Sequence, residues 1–108
     1  MNILAVEIEI PYAVDVQTTD DTLTVLSDGR TISVPLGWHP RLEYATSEER
    51  VNWRLIGKGQ GIHWDDIDED ISVEGLLSGK RSGESQASFK RWLLGRQATQ
   101  PAGEPDAE

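Results

Sequence analysis

Cysteine is absent from the 108-residue chain. Its absence excludes disulfide bonds, thiolate nucleophiles and cysteine-type zinc sites, and it leaves His39 and His63 as the only nitrogen ligands for a metal. Neither histidine has the companions of a catalytic triad, and no serine stands in a strand-turn-helix nucleophile elbow. We therefore predict that the protein is not an enzyme and that it holds no cofactor and no metal.

Long apolar runs are also missing. The chain is 37% hydrophobic, and it has no stretch that approaches the roughly 20 apolar residues needed to cross a bilayer. The first ten residues, MNILAVEIEI, lack a basic segment and carry Glu7 and Glu9, unlike a secretion signal. These features predict a cytoplasmic protein with no membrane contact, and the length predicts one compact core.

Basic residues are few. The chain has 10 Lys and Arg against 19 Asp and Glu, which gives a formal net charge of −9. Nucleic-acid binding usually depends on Lys and Arg that displace counterions from phosphates, so this charge disfavours direct DNA binding by the core. An acidic surface speeds the encounter with a basic partner, although simple solubility explains the same charge.

Alternating apolar residues, turn residues and caps predict the order of the elements. Asp28-Gly29 separates two β-rich runs and fits a type I′ hairpin turn. Thr46 and Glu49 form a capping box, which predicts a helix that begins at Ser47. Strands are predicted at residues 4–10, 23–27, 30–34 and 62–64, with an extended segment at 14–17 that is either a separate strand or the first one bent at Pro11. Helices are predicted at residues 40–44, 47–56, 71–77 and 85–97.

Residues 57–61, GKGQG, are rich in glycine. This stretch lacks the spacing and the Ser or Thr of a phosphate-binding loop, so we interpret it as a helix C-cap and a turn into the next strand. The predicted organisation is an α+β domain over residues 1–79, a linker and amphipathic helix over 80–97, and a disordered tail over 98–108.

An unusual density of carboxylates follows a His-Trp pair in IHWDDIDEDIS. Three interpretations compete. A calcium loop starting at Asp66 lacks the glycine at its sixth position and the closing carboxylate at its twelfth, and acid/base catalysis needs a desolvated acid. Capping of the next helix by Asp68 or Asp70 explains one or two acids, and the others form a negative rim that a basic partner would recognise. The acids of this rim are Asp65, Asp66, Asp68, Glu69 and Asp70.

Large aromatic residues supply the other binding candidates. Trp38 and Arg41 lie in a proline-containing loop, where a large ring is hard to bury completely. Phe89, Trp92 and Leu93 recur at helical spacing and must dock on their own domain, on a second copy of the chain or in the groove of a partner. We predict these five residues, with the acidic rim, as the partner-binding surface.

Four blocks of the sequence, taken together, resemble the pattern of a known family. They are DGRTISVPLGWHPRL (Asp28 to Leu42), EERVNW (Glu48 to Trp53), GQGIHW (Gly59 to Trp64) and DEDISVEGLLSG (Asp68 to Gly79). The chain resembles the bacterial domain-of-unknown-function 2442 family from about Val14 to Gly79. The resemblance implies a two-layer α+β domain, with an antiparallel sheet of three to four strands and two helices in ββ(β)αβα order. Some relatives look like halves of two-gene modules beside a toxin-like protein, and others carry a helical DNA-binding extension.

The resulting functional prediction is a non-enzymatic module that binds a basic partner protein through its acidic rim. It would act as an antitoxin-like protein or as an accessory subunit of a larger complex. One alternative is a dimeric regulator that contacts DNA through a basic stripe on and near the C-terminal helix, formed by Lys80, Arg81, Lys90, Arg91 and Arg96. Another is a weak metal-dependent hydrolase that uses the acidic turn.

Overall fold

The structure of the chain, a computed structural model, describes residues 11–99, with side chains through residue 96. The strand predicted at residues 4–10 lies outside this range, as do residues 100–108 of the tail predicted over residues 98–108, whereas residues 98–99 belong to the last helix. The first sheet contains β1 (Ala13–Thr18), β2 (Thr22–Ser27) and β3 (Arg30–Pro35), and the second contains β4 (Trp53–Ile56), β5 (Gly61–Trp64) and β6 (Glu69–Ser72). The helices are α1 (Pro40–Glu43), α2 (Ser47–Val51), α3 (Val73–Leu77) and α4 (Gln86–Thr99), and a 3-10 turn covers Leu36–Trp38.

The first sheet is an antiparallel meander in which β2 is the central strand. Its residues alternate in burial, as expected for a strand with one face on the core. β1 is irregular, because its register against β2 shifts between Ala13 and Asp15. This bulge places Ala13 and Val16 on the core side although three positions separate them.

The turn between β2 and β3 confirms the predicted hairpin but not its type. Ser27 pairs with Arg30, so Asp28 and Gly29 form a two-residue connection. Gly29 has a φ of +80°, whereas Asp28 lacks the positive φ that a type I′ turn requires at both central positions. The type I′ assignment is therefore wrong.

The second sheet replaces part of a predicted helix. The capping box of Thr46 and Glu49 is present, and α2 begins at Ser47 as predicted. The helix ends at Val51 rather than near residue 56, because Asn52 leaves the helical conformation and Trp53 pairs with Trp64 across β4 and β5. The sheet pairing therefore overrides the local helical pattern.

A second correction concerns the helix predicted from Ile71. This residue pairs with Ile62 as part of β6, and α3 begins two positions later. The Ser72 hydroxyl caps α3 by accepting a hydrogen bond from the Gly75 amide at 2.8 Å. Neither Asp68 nor Asp70 caps a helix, and that prediction is wrong.

Both sheets contribute to one core. Its largest fully buried side chain is Trp64, whose indole N–H donates to the Arg50 carbonyl at 3.0 Å. The other buried apolar residues are Ala13, Val16, Leu23, Val25, Val34, Leu36, Leu42, Ala45, Ile62, Ile67, Ile71, Val73 and Leu76. The α+β class and the antiparallel pairing are confirmed, with two sheets of three strands in place of one sheet of three to four.

The glycine-rich segment 57–61 connects two strands of the second sheet and contacts the first sheet. It forms the turn between β4 and β5, and it does not cap a helix as predicted. The Gly59 carbonyl accepts a hydrogen bond from the Ala13 amide at 2.7 Å, which attaches this turn to the start of β1. A Cβ at Gly59 would lie 3.0 Å from the Ala13 oxygen, so only glycine fits this contact without strain.

Within residues 11–99, none of the helices combines the length and the apolar character needed to span a bilayer.

Candidate functional site

The acidic rim predicted from the sequence lies on one turn and the strand that follows it. We call this segment, residues 65–70, the acidic turn. Ile67 is buried and anchors the turn to the core, while Asp65, Asp66 and Asp68 are exposed. Asp68 has a φ of +52°, a conformation that aspartate tolerates better than most residues. The turn therefore projects carboxylates to solvent from a fixed base.

Two acids of the turn contact one histidine of the neighbouring strand. His63 lies opposite Asp70 in the pairing of β5 with β6, and its Nδ1 is 2.5 Å from the Asp70 carboxylate. Its Nε2 is 2.9 Å from Asp65. The hydrogen bond to Asp70 raises the pKa of His63, and the charges of Asp70 and Asp65 add to the effect. A protonated His63 donates to both carboxylates at once.

Two more side chains, from β4 and from the residue before it, bind aspartates of the acidic turn. Arg54 donates to Asp65 at 3.2 and 3.3 Å, and these bonds lower the pKa of Asp65. Asn52 donates to Asp66 at 2.9 Å. The side chains of Arg54 and Asp65 are both 59% exposed, so their ion pair is solvated and contributes little to stability.

Glu69 differs from its neighbours because it faces inward. Its side chain is 11% exposed and lies 3.6 Å from Nδ1 of the buried His39. The sequence pattern predicts Glu69 as one of the exposed acids and indicates no function for His39. The inward orientation of Glu69 follows from its pairing with Trp64, which the local sequence does not reveal.

Arg41, predicted to bind a partner, is occupied within the chain. Its guanidinium donates to both carboxylate oxygens of Glu84 and to the Ile67 carbonyl, and it lies 5.2 Å from the centroid of the Trp92 ring. The hydrogen bonds to Glu84 raise the pKa of Arg41 and lower that of Glu84. Arg41 therefore joins the acidic turn to α4.

The C-terminal helix docks on its own domain, one of the arrangements the sequence left open. Arg96 donates to both oxygens of Glu49 at 2.9 and 3.0 Å, and its guanidinium also lies over the Trp92 ring. Burial is the largest influence on Glu49 and raises its pKa, but the hydrogen bonds from Arg96 and Thr46 and the charge of Arg96 together lower the pKa below its usual value. Trp92 packs against the core, so this residue contributes to docking within the chain.

Phe89 and Leu93 remain half-buried beside a groove between α1 and α4. The groove has a volume of about 440 Å³ and includes Pro40 and Tyr44 in its lining. Phe89 stacks edge-on against Tyr44, with ring centroids 5.3 Å apart. These two predicted residues thus lie on an apolar surface that solvent reaches.

Comparison with known proteins identifies the family. The family described as "Protein of unknown function (DUF2442)" matches residues 13–82, about two thirds of the chain. The chain belongs to this family. A crystal structure of a protein of unknown function from Rhodospirillum rubrum ATCC 11170 is similar, with 26% sequence identity and a TM-score of 0.59 over 71% of this chain and 94% of that one. No curated protein matches the chain.

The DUF2442 segment contains both sheets, α1, α2 and α3, and it ends before α4. Trp38, the last predicted site residue, belongs to this segment. It is half-buried against the core, and the Arg81 guanidinium lies 4.7 Å from its ring centroid. Trp38 therefore packs against the core and also contacts a cation.

The geometry bears on the two alternative functions, a metal-dependent hydrolase and a DNA-binding regulator. Within the described part of the chain, no cluster of three His, Cys, Asp or Glu side chains is arranged to hold a metal ion. Of the basic stripe, Arg96 is paired with Glu49 and Arg81 lies on Trp38. Regulation through DNA remains a prediction, which a mobility-shift assay with the upstream DNA of the gene would test.

Proposed function

We propose that this DUF2442 protein is a non-enzymatic module that binds a basic protein, and that the acidic turn is its principal contact surface. The observation that carries the proposal is the arrangement of Asp65, Asp66, Asp68 and Asp70 on one short segment. Among the described residues, Arg54 and His63 form ion pairs with these aspartates. The surface consequently keeps an excess of negative charge.

Electrostatic complementarity supports a basic partner. Exposed carboxylates are screened over roughly 8 Å at physiological ionic strength, so several of them must lie close together to present a joint potential. The acidic turn satisfies this requirement, and close charge pairs across an interface contribute both to the association rate and to affinity. A surface of this kind is compatible with an antitoxin-like protein and with an accessory subunit, and the proposal includes both.

The test uses two charge-neutralised variants of equal net charge. Asp66→Asn/Asp68→Asn removes two charges from the acidic turn, and Asn at position 66 still accepts the hydrogen bond from Asn52. Glu48→Gln/Glu74→Gln removes two exposed charges from α2 and α3. Proteins captured from the host lysate by the wild-type chain are identified by mass spectrometry, and the purified pair is then measured by calorimetry.

We expect a basic partner whose affinity falls about tenfold or more for the acidic-turn variant and stays within about twofold for the control. Higher salt should weaken the wild-type complex and reduce this difference. Equal losses in both variants would show that only net charge matters. Absence of any partner that reconstitutes from pure components would refute the proposal.

A further inference from the structure

An open cavity of about 260 Å³ lies beside β6 and α3, next to the loop that follows α3. Its polar lining brings together two groups of opposite charge from different elements. Its polar residues other than Asp70 are His39, Glu69, Ser72, Lys80, Arg81 and Ser82. Asp70 also lines the cavity, but its carboxylate is bonded to His63. The cavity is thus acidic at β6 and basic at the loop.

The acidic end contains two polar groups without hydrogen bonds. His39 is 5% exposed, and neither of its ring nitrogens has a hydrogen-bond partner among the described residues. The Glu69 carboxylate lies 3.6 Å from Nδ1, which is too far for a hydrogen bond. An unsatisfied buried polar group is costly, and a carboxylate beside an imidazole is suited to accept hydrogen bonds from a cationic donor.

The basic end is held in position by the fold. The Lys80 amide donates to the Gly75 carbonyl at 2.9 Å, and the Ser82 amide donates to the Trp38 carbonyl at 2.9 Å. Arg81 between them lies over the Trp38 ring at 4.7 Å. Neither Lys80 nor Arg81 forms an ion pair with a carboxylate in the described part of the chain, so both cations are available to an anionic group.

We infer that this cavity binds a small zwitterion, a free α-amino acid. The ammonium group would donate to Glu69 beside His39, and the carboxylate would lie between Lys80 and Arg81. A zwitterion places a complementary charge at both ends of the cavity. A simple anion would leave the acidic end without a partner, and a simple amine would leave the basic end without one. The volume suits a ligand of amino-acid size rather than a nucleotide.

The first experiment tests whether binding requires both charges of a zwitterion. Glycine, alanine, leucine, glutamate and lysine are titrated into the full-length isotope-labelled chain, with propionate and propylamine as matched compounds that lack one charge each. We expect at least one amino acid to produce saturable shifts in the amide signals of residues 80–83 and in the ring signals of His39. The two single-charge compounds should bind at least tenfold more weakly. Absence of saturable binding by all five amino acids overturns the inference, and so does propionate or propylamine binding as tightly as the best of them.

The second experiment locates the ligand. Glu69→Gln and Lys80→Gln should each weaken binding about tenfold or more, since each removes one charged contact. The controls Glu74→Gln and Lys90→Gln carry the same changes on exposed residues outside the cavity, and they should leave affinity unchanged. Thermal unfolding verifies that all four variants fold. Unchanged binding by Glu69→Gln refutes the placement, and the outcome is independent of partner capture because only the isolated chain is used.

Discussion

The close approach of the β4–β5 turn to β1 predicts a large difference between two chemically identical substitutions. Gly59→Ala and Gly29→Ala each place a methyl group on a residue with positive φ, +85° and +80° respectively. Around Gly29 no atom lies within 4 Å of the added Cβ. Around Gly59 the added Cβ lies 3.0 Å from the Ala13 oxygen and 3.2 Å from Cβ of Tyr12. The pair thus separates backbone strain from steric conflict.

The expected magnitudes follow from these contacts. A left-handed conformation costs a residue with a side chain about 1–2 kcal/mol, and this cost applies to both variants. Gly59→Ala adds a steric conflict with backbone, which costs about 1–3 kcal/mol more because a carbonyl cannot rotate away as a side chain can. It also strains the 2.7 Å hydrogen bond from the Ala13 amide to the Gly59 carbonyl. We expect losses of about 1–2 kcal/mol for Gly29→Ala and about 2–5 kcal/mol for Gly59→Ala.

Urea unfolding followed by tryptophan fluorescence measures both values, because Trp64 is buried and reports on the core. Gly79→Ala provides a second control, since Gly79 has a φ of +77° and open space around its added Cβ. Equal destabilisation of all three variants would show that the turn does not press on β1. In that case the two sheets would not be coupled through Gly59 in the way described.

Three further predictions concern the core, a helix cap and pH. Trp64→Phe should lower the free energy of unfolding by about 2–4 kcal/mol, because it leaves the buried Arg50 carbonyl without its donor and creates a cavity. A loss below about 1 kcal/mol in urea titration would contradict this prediction. Thr46→Ala should cost about 1 kcal/mol by removing the cap of α2, whereas Thr46→Ser should retain most of the stability. The hydrogen bond to Asp70 raises the pKa of His63, so its stabilising effect is complete below the unfolded value of about 6.5 and is lost as pH rises through the folded value. The stability advantage of the wild type over His63→Gln should therefore shrink from pH 6 to pH 9 in chemical denaturation, and an advantage that grows would reverse the assigned sign.

Local signals predicted the element boundaries that depend only on neighbouring residues, and they missed those that strand pairing determines. The Thr46 capping box and the Asp28-Gly29 hairpin need only neighbouring residues, and both are present. The end of α2 depends on Trp53 pairing with Trp64, which no local pattern encodes. The start of α3 differs from the prediction for the same reason. Ile71 pairs with Ile62, so the strand continues to Ser72, which is the N-cap of α3.

The candidate site was predictable in composition but not in geometry. The density of carboxylates after Trp64 marked the acidic turn correctly as a negative surface. Its partners within the chain, Arg54 and His63, can be identified only from the strand register, which pairs Arg54 with His63 and His63 with Asp70. The distinction between an inward Glu69 and its outward neighbours likewise requires the register. Charge pattern therefore locates such a surface, and strand pairing decides which acids remain available.

The network around Arg41 has a consequence for how the protein can be divided. The family segment ends at residue 82, yet Arg41 inside it is held by Glu84, and Glu84 in turn accepts a hydrogen bond from Ser88 in α4 at 2.7 Å. A fragment that ends at the family limit would remove Glu84, the ion-pair partner of Arg41, and would expose the surface on which Trp92 packs. We therefore expect a fragment that ends at residue 82 to be less stable than a chain that includes Glu84 and α4.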